Sequence, residues 1–248
     1  MKVCFRNDNH ISLELPEEQK SYTFATRDSH EVLFRRISTW LINNKFVQRN
    51  IIDLGAWIGD NSIPWAKNIS GIVYAIDPSD KNCEFIKRVC KLNSIENVAV
   101  FQTAISDKRE VLSTNQNLDH CSFLSKGNTL VHAVSLDELH AEGKIVDVDY
   151  IHLDVEGMEF KVANGMASIL NTYHPIVAFE QHLTTDDIPA IVEFFKQNKY
   201  MVFLINEELP GCRPDCRNFL AFPDTEKYND VVKYLRSYFG DLGIFTRF

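Results

Sequence analysis

The sequence predicts a doubly wound α/β fold: a mostly parallel sheet with helices on both faces. From residue 49 onward, short runs dense in Val and Ile alternate with stretches of helical periodicity. The runs carry few polar breaks, which suits strands covered on both faces, and strand–helix alternation is the pattern of a parallel sheet. Near the end, two apolar runs lie close together, KYMVFLI (199–205) and NFLAF (218–222), and suggest an antiparallel terminal pair.

Residues 1–48 read as an appendage. Residues 3–15 alternate partly, as strands do, and 28–44 place Val32, Leu33, Ile37, Trp40 and Leu41 at helical spacing, with Asp28 or Ser29 as candidate cap. The strands of the main domain, 49–248, are NIIDLG (50–55), GIVYAID (71–77), NVAVFQT (97–103), VDYIHLD (148–154) and PIVAFEQ (175–181). Helices are expected over 60–68, 79–93, 159–171 and 184–198. Asp80, Asp186 and the NSIP start at Asn61 supply N-terminal signals. Residues 108–134 interrupt the series as an excursion or small hairpin, 206–217 as a turn-rich loop, and 225–239 close it as a helix.

The chain of 248 residues is 45% hydrophobic and 24% charged, an ordinary globular balance. Its net charge of −8 argues against nucleic acid, whose phosphates require a basic surface. Nothing approaches the ~18 apolar residues of a membrane span. The polar start does not resemble a signal peptide, and the six cysteines are too scattered for a disulfide scaffold. A reducing, cytoplasmic setting is expected, with no structural disulfide, even between Cys212 and Cys216, and no required metal.

The chemistry gathers where strands end. Asp53-Leu54-Gly55-Ala56-Trp57-Ile58-Gly59 joins a strand to a helix. Glycines there let the backbone turn sharply and approach a ligand. Trp57 occupies the middle glycine of the dinucleotide fingerprint. The spacing D-x-G-x-x-x-G is that of nucleoside-methionine binders, in which the loop hosts an amino-acid carboxylate. Asp77 ends the second strand 22 residues after Gly55 (77 − 55), where such folds place an acid for both ribose hydroxyls; the alternative is a helix-capping aspartate. Ala104-Ile105-Ser106-Asp107 follows the third strand. There Ile105 could pack on an adenine and Asp107 accept from its amine, or the segment is a polar turn. After the fourth strand, Asp154 and Glu156 can point into the crevice as proton acceptors or orienting groups, or cap the helix near 159. Glu180 and His182 leave the fifth strand beside them. An oxygen-rich metal site from Asp154, Glu156, Glu180 and His182 is the weaker alternative, because no short-range ligand motif supports it.

With these residues in view, the sequence from about Asn50 to Pro223 resembles the FkbM family of S-adenosylmethionine-dependent methyltransferases. IIDLGAWIGDNS looks like the family's glycine motif, VYAIDPS its ribose-acid strand and AISD its adenine-side turn. VSLDEL (134–139), followed by VDYIHLDVEGMEFKVANGM, looks like its most diagnostic stretch. Asp77 stands where the family usually has Glu, and Trp57 where it often has Asn. The resemblance implies a class I methyltransferase (Rossmann-like) three-layer sandwich with seven strands, one antiparallel. It implies S-adenosyl-L-methionine as cofactor, held by Asp53, Gly55, Ala56, Gly59, Asn61, Asp77, Pro78, Ala104, Ile105, Ser106, Asp107 and Asp154. Asp154, Glu156, Glu180 and His182 are the candidate catalytic residues, and the acceptor is a hydroxyl on a sugar or other small molecule. A nicotinamide-dependent oxidoreductase and a non-catalytic nucleoside-binding module are the rival readings.

Overall fold

The computed structural model describes residues 1–114, 129–207, 214–239 and 245–248. A hairpin, β1 (Lys2–Phe5) and β2 (Ile11–Glu14), precedes α1 (Gln19–Ala25) and α2 (Val32–Asn43). The main domain then runs β3 (Asn50–Leu54), α3 (Ser62–Asn68), β4 (Val73–Asp77), α4 (Asp80–Leu92), β5 (Val98–Gln102) and β6 (Ala104–Ile105). It continues through β7 (Glu110–Thr114), β8 (Thr129–Val134), α5 (Leu136–Ala141), β9 (Val148–Leu153), α6 (Glu159–Asn164), α7 (Ala167–Tyr173) and β10 (Ile176–His182). The chain ends with α8 (Ile188–Gln197), β11 (Tyr200–Ile205), β12 (Cys216–Pro223), α9 (Glu226–Phe239) and β13 (Phe245–Arg247).

Among the described residues the main sheet has eight strands in the order β13-β11-β12-β10-β9-β3-β4-β5. β5, β4, β3, β9 and β10 are parallel neighbours, and β12 runs antiparallel to both β10 and β11. This is the expected seven-stranded arrangement with one strand reversed, plus β13 paired antiparallel on the edge of β11. Burial explains the sequence pattern: every residue of β3, β4 and β9 is buried, so none of the three alternates. Within the excursion expected at 108–134, the described strands β7 and β8 pair antiparallel, and β6 joins β8 in parallel to make a separate three-stranded sheet.

Three helix starts differ from expectation. Asp28 accepts from the backbone N–H groups of Arg6 and Asn7, and α2 is capped from far away, by the Glu207 carboxylate accepting from Leu33 and Phe34 N–H. Ser79 rather than Asp80 caps α4, and Asp187 rather than Asp186 caps α8. The helix expected over 159–171 is broken at Gly165 and Met166, where a Cβ on Gly165 would lie 2.4 Å from the Ser106 carbonyl oxygen.

Residues 1–48 share their cores with the rest of the chain. Phe34, Ile37 and Leu41 of α2 pack with Ile51, Val73, Phe203 and Leu220 on one sheet face. Phe5, Leu13 and Phe24 pack with Ile58, Ile63, Phe85 and Ile86 near the glycine loop. At the start of α2, Phe34 stacks on His152 near the carboxyl end of β9, on the side where the candidate site residues lie. Among the described residues, no helix is long and apolar enough to cross a membrane.

Candidate active site

The loop after β3 reverses the chain with left-handed residues at Gly55 (φ 72°), Trp57 (φ 45°) and Gly59 (φ 77°). Gly55 is dictated by a neighbour: a Cβ there would sit 1.7 Å from the Asp154 carbonyl oxygen. The segment leaving β9 therefore lies directly on the glycine loop. A positive φ at Trp57 is strained for a bulky residue, and its N–H donates to Asp77 Oδ2 at 2.9 Å. Asp77 Oδ1 accepts from Ser79 N at 2.8 Å and Asn82 Nδ2 at 3.1 Å. Burial pushes the Asp77 carboxyl up to about 6 against these hydrogen bonds.

The other predicted cofactor contacts divide into two groups. Gly55 and Pro78 are partly exposed at the carboxyl ends of β3 and β4, with Ala56 buried beside them. Ala104, Ile105 and Ser106 are buried at and just after β6; Ser106 Oγ donates to Asp107 Oδ1 at 3.2 Å and to Glu110, which also pairs with Lys161. Asp53 and Asn61 are buried in internal networks instead. Asp53 accepts from Ser62 Oγ and meets His152 Nδ1 at 2.8 Å, tying β3 to α3 and β9. Asn61 Oδ1 accepts from Arg27 Nη2 at 3.0 Å. The structure thus gives these two side chains a supporting place beneath the loop.

The acids at the ends of β9 and β10 converge. Asp154 follows β9, and its carboxyl is pushed well above the usual range by burial and by the nearby charges of Glu180, Glu156 and Glu31, with His152 opposing. Glu180 and His182 lie at the end of β10 and are partly buried, whereas Glu156 is exposed at a positive φ of 55°. His152 stacks on Phe34 with ring centroids 5.1 Å apart. Burial opposes its charge, but the Asp53 contact and the charges of Asp154 and Glu31 raise its pKa.

Sequence reasoning missed two contributors. Glu159, buried at the start of α6, accepts from Val155 N at 3.0 Å and Gly157 N at 3.3 Å, so its carboxylate holds the turn that carries Asp154 and Glu156. Burial pushes Glu159 up to about 7. The second is Glu31, whose Oε1 accepts from Asn218 Nδ2 at 2.8 Å and whose Oε2 accepts from Arg35 Nη2 at 2.9 Å; Arg35 also reaches Asp60 at 2.8 Å. Burial alone would raise Glu31, but His30, Arg35, His152 and Asn218 hold it well below the usual carboxylate range. The i, i+4 spacing of Glu31 and Arg35 was the available signal. Asn218 is the register partner of Glu180, so the N-terminal segment reaches the acid cluster itself.

An S-adenosyl group suits this set of residues. Asp77 is a strand-end acid fixed by three hydrogen bonds, the glycine loop beside it is shaped by positive φ, and Ile105 supplies an apolar neighbour on the β6 side. The family model for the Methyltransferase FkbM domain matches residues 53–202, the span from the glycine loop to β11. The chain belongs to the FkbM methyltransferase domain family. No curated protein matches the sequence. Its fold is similar to that of an FkbM methyltransferase from Methylobacillus flagellatus KT, with 18% identity and a TM-score of 0.52, over 70% of this chain and 43% of that one. The chain thus covers less than half the length of that relative. It is also similar to the METTL16 methyltransferase domain, with 14% identity and a TM-score of 0.53, over 89% of this chain and 76% of that one. A third similarity is to magnesium protoporphyrin IX methyltransferase from Synechocystis PCC 6803 with bound SAH, with 10% identity and a TM-score of 0.50, over 85% of this chain and 89% of that one. The FkbM domain of this chain therefore has the class I methyltransferase fold. Among the described residues, Cys4, Cys83, Cys90 and Cys216 form no disulfide; Cys121 and Cys212 lie outside them, and with them the expectation about a Cys212–Cys216 bridge.

Proposed function

We propose that the chain transfers a methyl group from S-adenosyl-L-methionine to a hydroxyl of a sugar or other small molecule. The position of Asp154 carries the reading. Its backbone seats Gly55 of the glycine loop, and its carboxyl neighbours Glu180 at the next strand end. One residue thereby joins the cofactor side to the acid cluster.

When bound, S-adenosylmethionine supplies an electrophilic methyl on a sulfonium. Asp77 accepts the ribose hydroxyls, while Gly55, Ala56 and Gly59 let the backbone approach the methionine end. Pro78, Ala104, Ile105, Ser106 and Asp107 border the adenine side, and Asp53 and Asn61 support the loop from beneath. Asp154 would orient the acceptor hydroxyl and take up the proton that its oxygen gives up on methylation, with Glu156, Glu180 and His182 around it; the methyl's bond to sulfur would break with its electron pair left on that sulfur. Orientation can supply roughly 7–11 kcal/mol of barrier reduction, and a positioned base adds about 10²–10⁴-fold. The acidic composition and the carboxylate-rich acceptor side favour a neutral or cationic small acceptor over nucleic acid.

The test is a screen with methyl-labelled S-adenosylmethionine across sugars, lipids, peptides and RNA. The proposal expects label on an oxygen of a hydroxyl-bearing small molecule. Label confined to RNA, or to nitrogen, would overturn the acceptor assignment. No acceptor-dependent label at all would favour a binding module.

A further inference from the structure

A second chemistry lies beside the acid cluster, and it is a product of strand pairing. Glu180 and His182 are two residues apart on β10 and so share a sheet face. His182 is the register partner of Cys216 on antiparallel β12, which places the two side chains side by side on that face. One donor atom from each of Glu180, His182 and Cys216 lies within 4.8 Å of the other two. Cys216 is buried, and its Sγ contacts Glu180 Oε1. Nδ1 of His182 is buried, has no hydrogen-bond partner among the described residues, and lies 3.8 Å from Asp215 Oδ1.

We propose that Glu180, His182 and Cys216 form a binding site for a divalent transition metal of the zinc class. Thiolate, imidazole and carboxylate are the donors that Zn²⁺ accepts together, whereas Mg²⁺ and Ca²⁺ require oxygen donors. Three protein ligands leave a fourth tetrahedral position open, as in zinc sites that bind an exchangeable oxygen. With one ring nitrogen of His182 on the metal, the other is left for the Asp215 carboxylate, the usual outer partner of a metal-bound histidine. Ligation breaks the Cys216 S–H bond: the proton leaves to solvent, the electron pair stays on sulfur, and nothing is oxidised or reduced. The set was hidden in the sequence because Cys216 meets the other two only through the β10–β12 register. From the sequence no required metal is expected; this site adds a bound one at two residues that also border the acceptor in the methyl-transfer reading, and its test reads metal binding without methyl transfer.

The test reads metal binding directly. The full chain, reduced and stripped by dialysis against a chelator, is titrated with Co²⁺ and then with Zn²⁺ in competition with a chromophoric chelator. One equivalent of Co²⁺ is expected, with a near-ultraviolet thiolate-to-cobalt charge-transfer band that Zn²⁺ abolishes. Cys4→Ser should keep the band and Cys216→Ser lose it. Asp215→Asn should keep the band and weaken affinity by about 10- to 100-fold. Thermal unfolding accompanies each variant. Should Cys216→Ser fail to fold, Glu180→Gln and His182→Gln carry the test: each should weaken Co²⁺ binding by at least ~10-fold. Absence of stoichiometric Co²⁺, a band that survives Cys216→Ser, or unchanged affinity in both Glu180→Gln and His182→Gln would overturn the proposal.

Discussion

Glu159→Gln separates the charge of the buried carboxylate from its shape. The Glu159 carboxyl, ordinarily near 4.5, is raised to about 7, with burial the largest cause and hydrogen bonds from Val155 and Gly157 opposing it. For an acid raised on folding, the stabilising contribution is fully present below about pH 4.5 and is lost as pH rises through about 7. A rise of that size corresponds to about 3 kcal/mol. Glutamine keeps an oxygen for the two backbone donors and does not titrate. Urea unfolding of both proteins at pH 5, 6, 7 and 8 isolates this group, because every other titration cancels in the difference. Relative to wild type, Glu159→Gln should gain stability as pH rises, by up to about 3 kcal/mol at pH 8. Parallel pH profiles would refute the assignment of Glu159 as a buried, neutralised carboxyl holding the turn.

Three further substitutions probe the site and its frame. Asp154→Asn should leave the melting temperature close to wild type while the single-turnover methyl-transfer rate falls ~10²-fold or more; a near-normal rate would shift the base to Glu156, Glu180 or His182. Gly55→Ala drives a Cβ into the Asp154 carbonyl at a left-handed φ of 72°. It should lower urea-unfolding stability by more than about 3 kcal/mol, and a small change would mean that the loop does not rest on the Asp154 backbone. Glu207→Ala removes the acceptor for Leu33 and Phe34 N–H at the start of α2. It should lower stability by about 1–2 kcal/mol, measured the same way, and an unchanged value would assign those N–H groups to solvent.

What the sequence made legible follows from local physics. The strands at 50–54, 73–77 and 148–153 stood out because both faces are buried, which leaves apolar residues without a two-residue alternation and with few polar breaks. Asp77 and the glycine loop were readable because their spacing reflects a turn and the next strand end. What stayed hidden depends on contacts made at long range. Arg27 and Arg35 are buried, with Asp8, Asn61 and Asp60 supplying partners from other segments and Glu31 one from the preceding turn, and nothing local to either arginine announces that burial. The break between α6 and α7 falls at Gly165, which backs onto Ser106; a lone glycine inside a helical pattern is tolerated often enough that the sequence alone does not place a break there. β13 is three residues long, too short for periodicity to register. Cap positions failed by one residue at Asp80 and Asp186, where adjacent candidates compete and only geometry chooses.

Equilibrium calorimetry with S-adenosylmethionine and a nicotinamide dinucleotide, on wild type and Asp77→Ala, tests the central claim most directly. The account predicts one S-adenosylmethionine site in the wild type and no binding of the dinucleotide. It predicts that Asp77→Ala weakens binding by about 1.5–3 kcal/mol, roughly 10- to 150-fold, through lost charge-assisted hydrogen bonds to the ribose. Binding of the dinucleotide in place of S-adenosylmethionine, or an affinity untouched by Asp77→Ala, would contradict it.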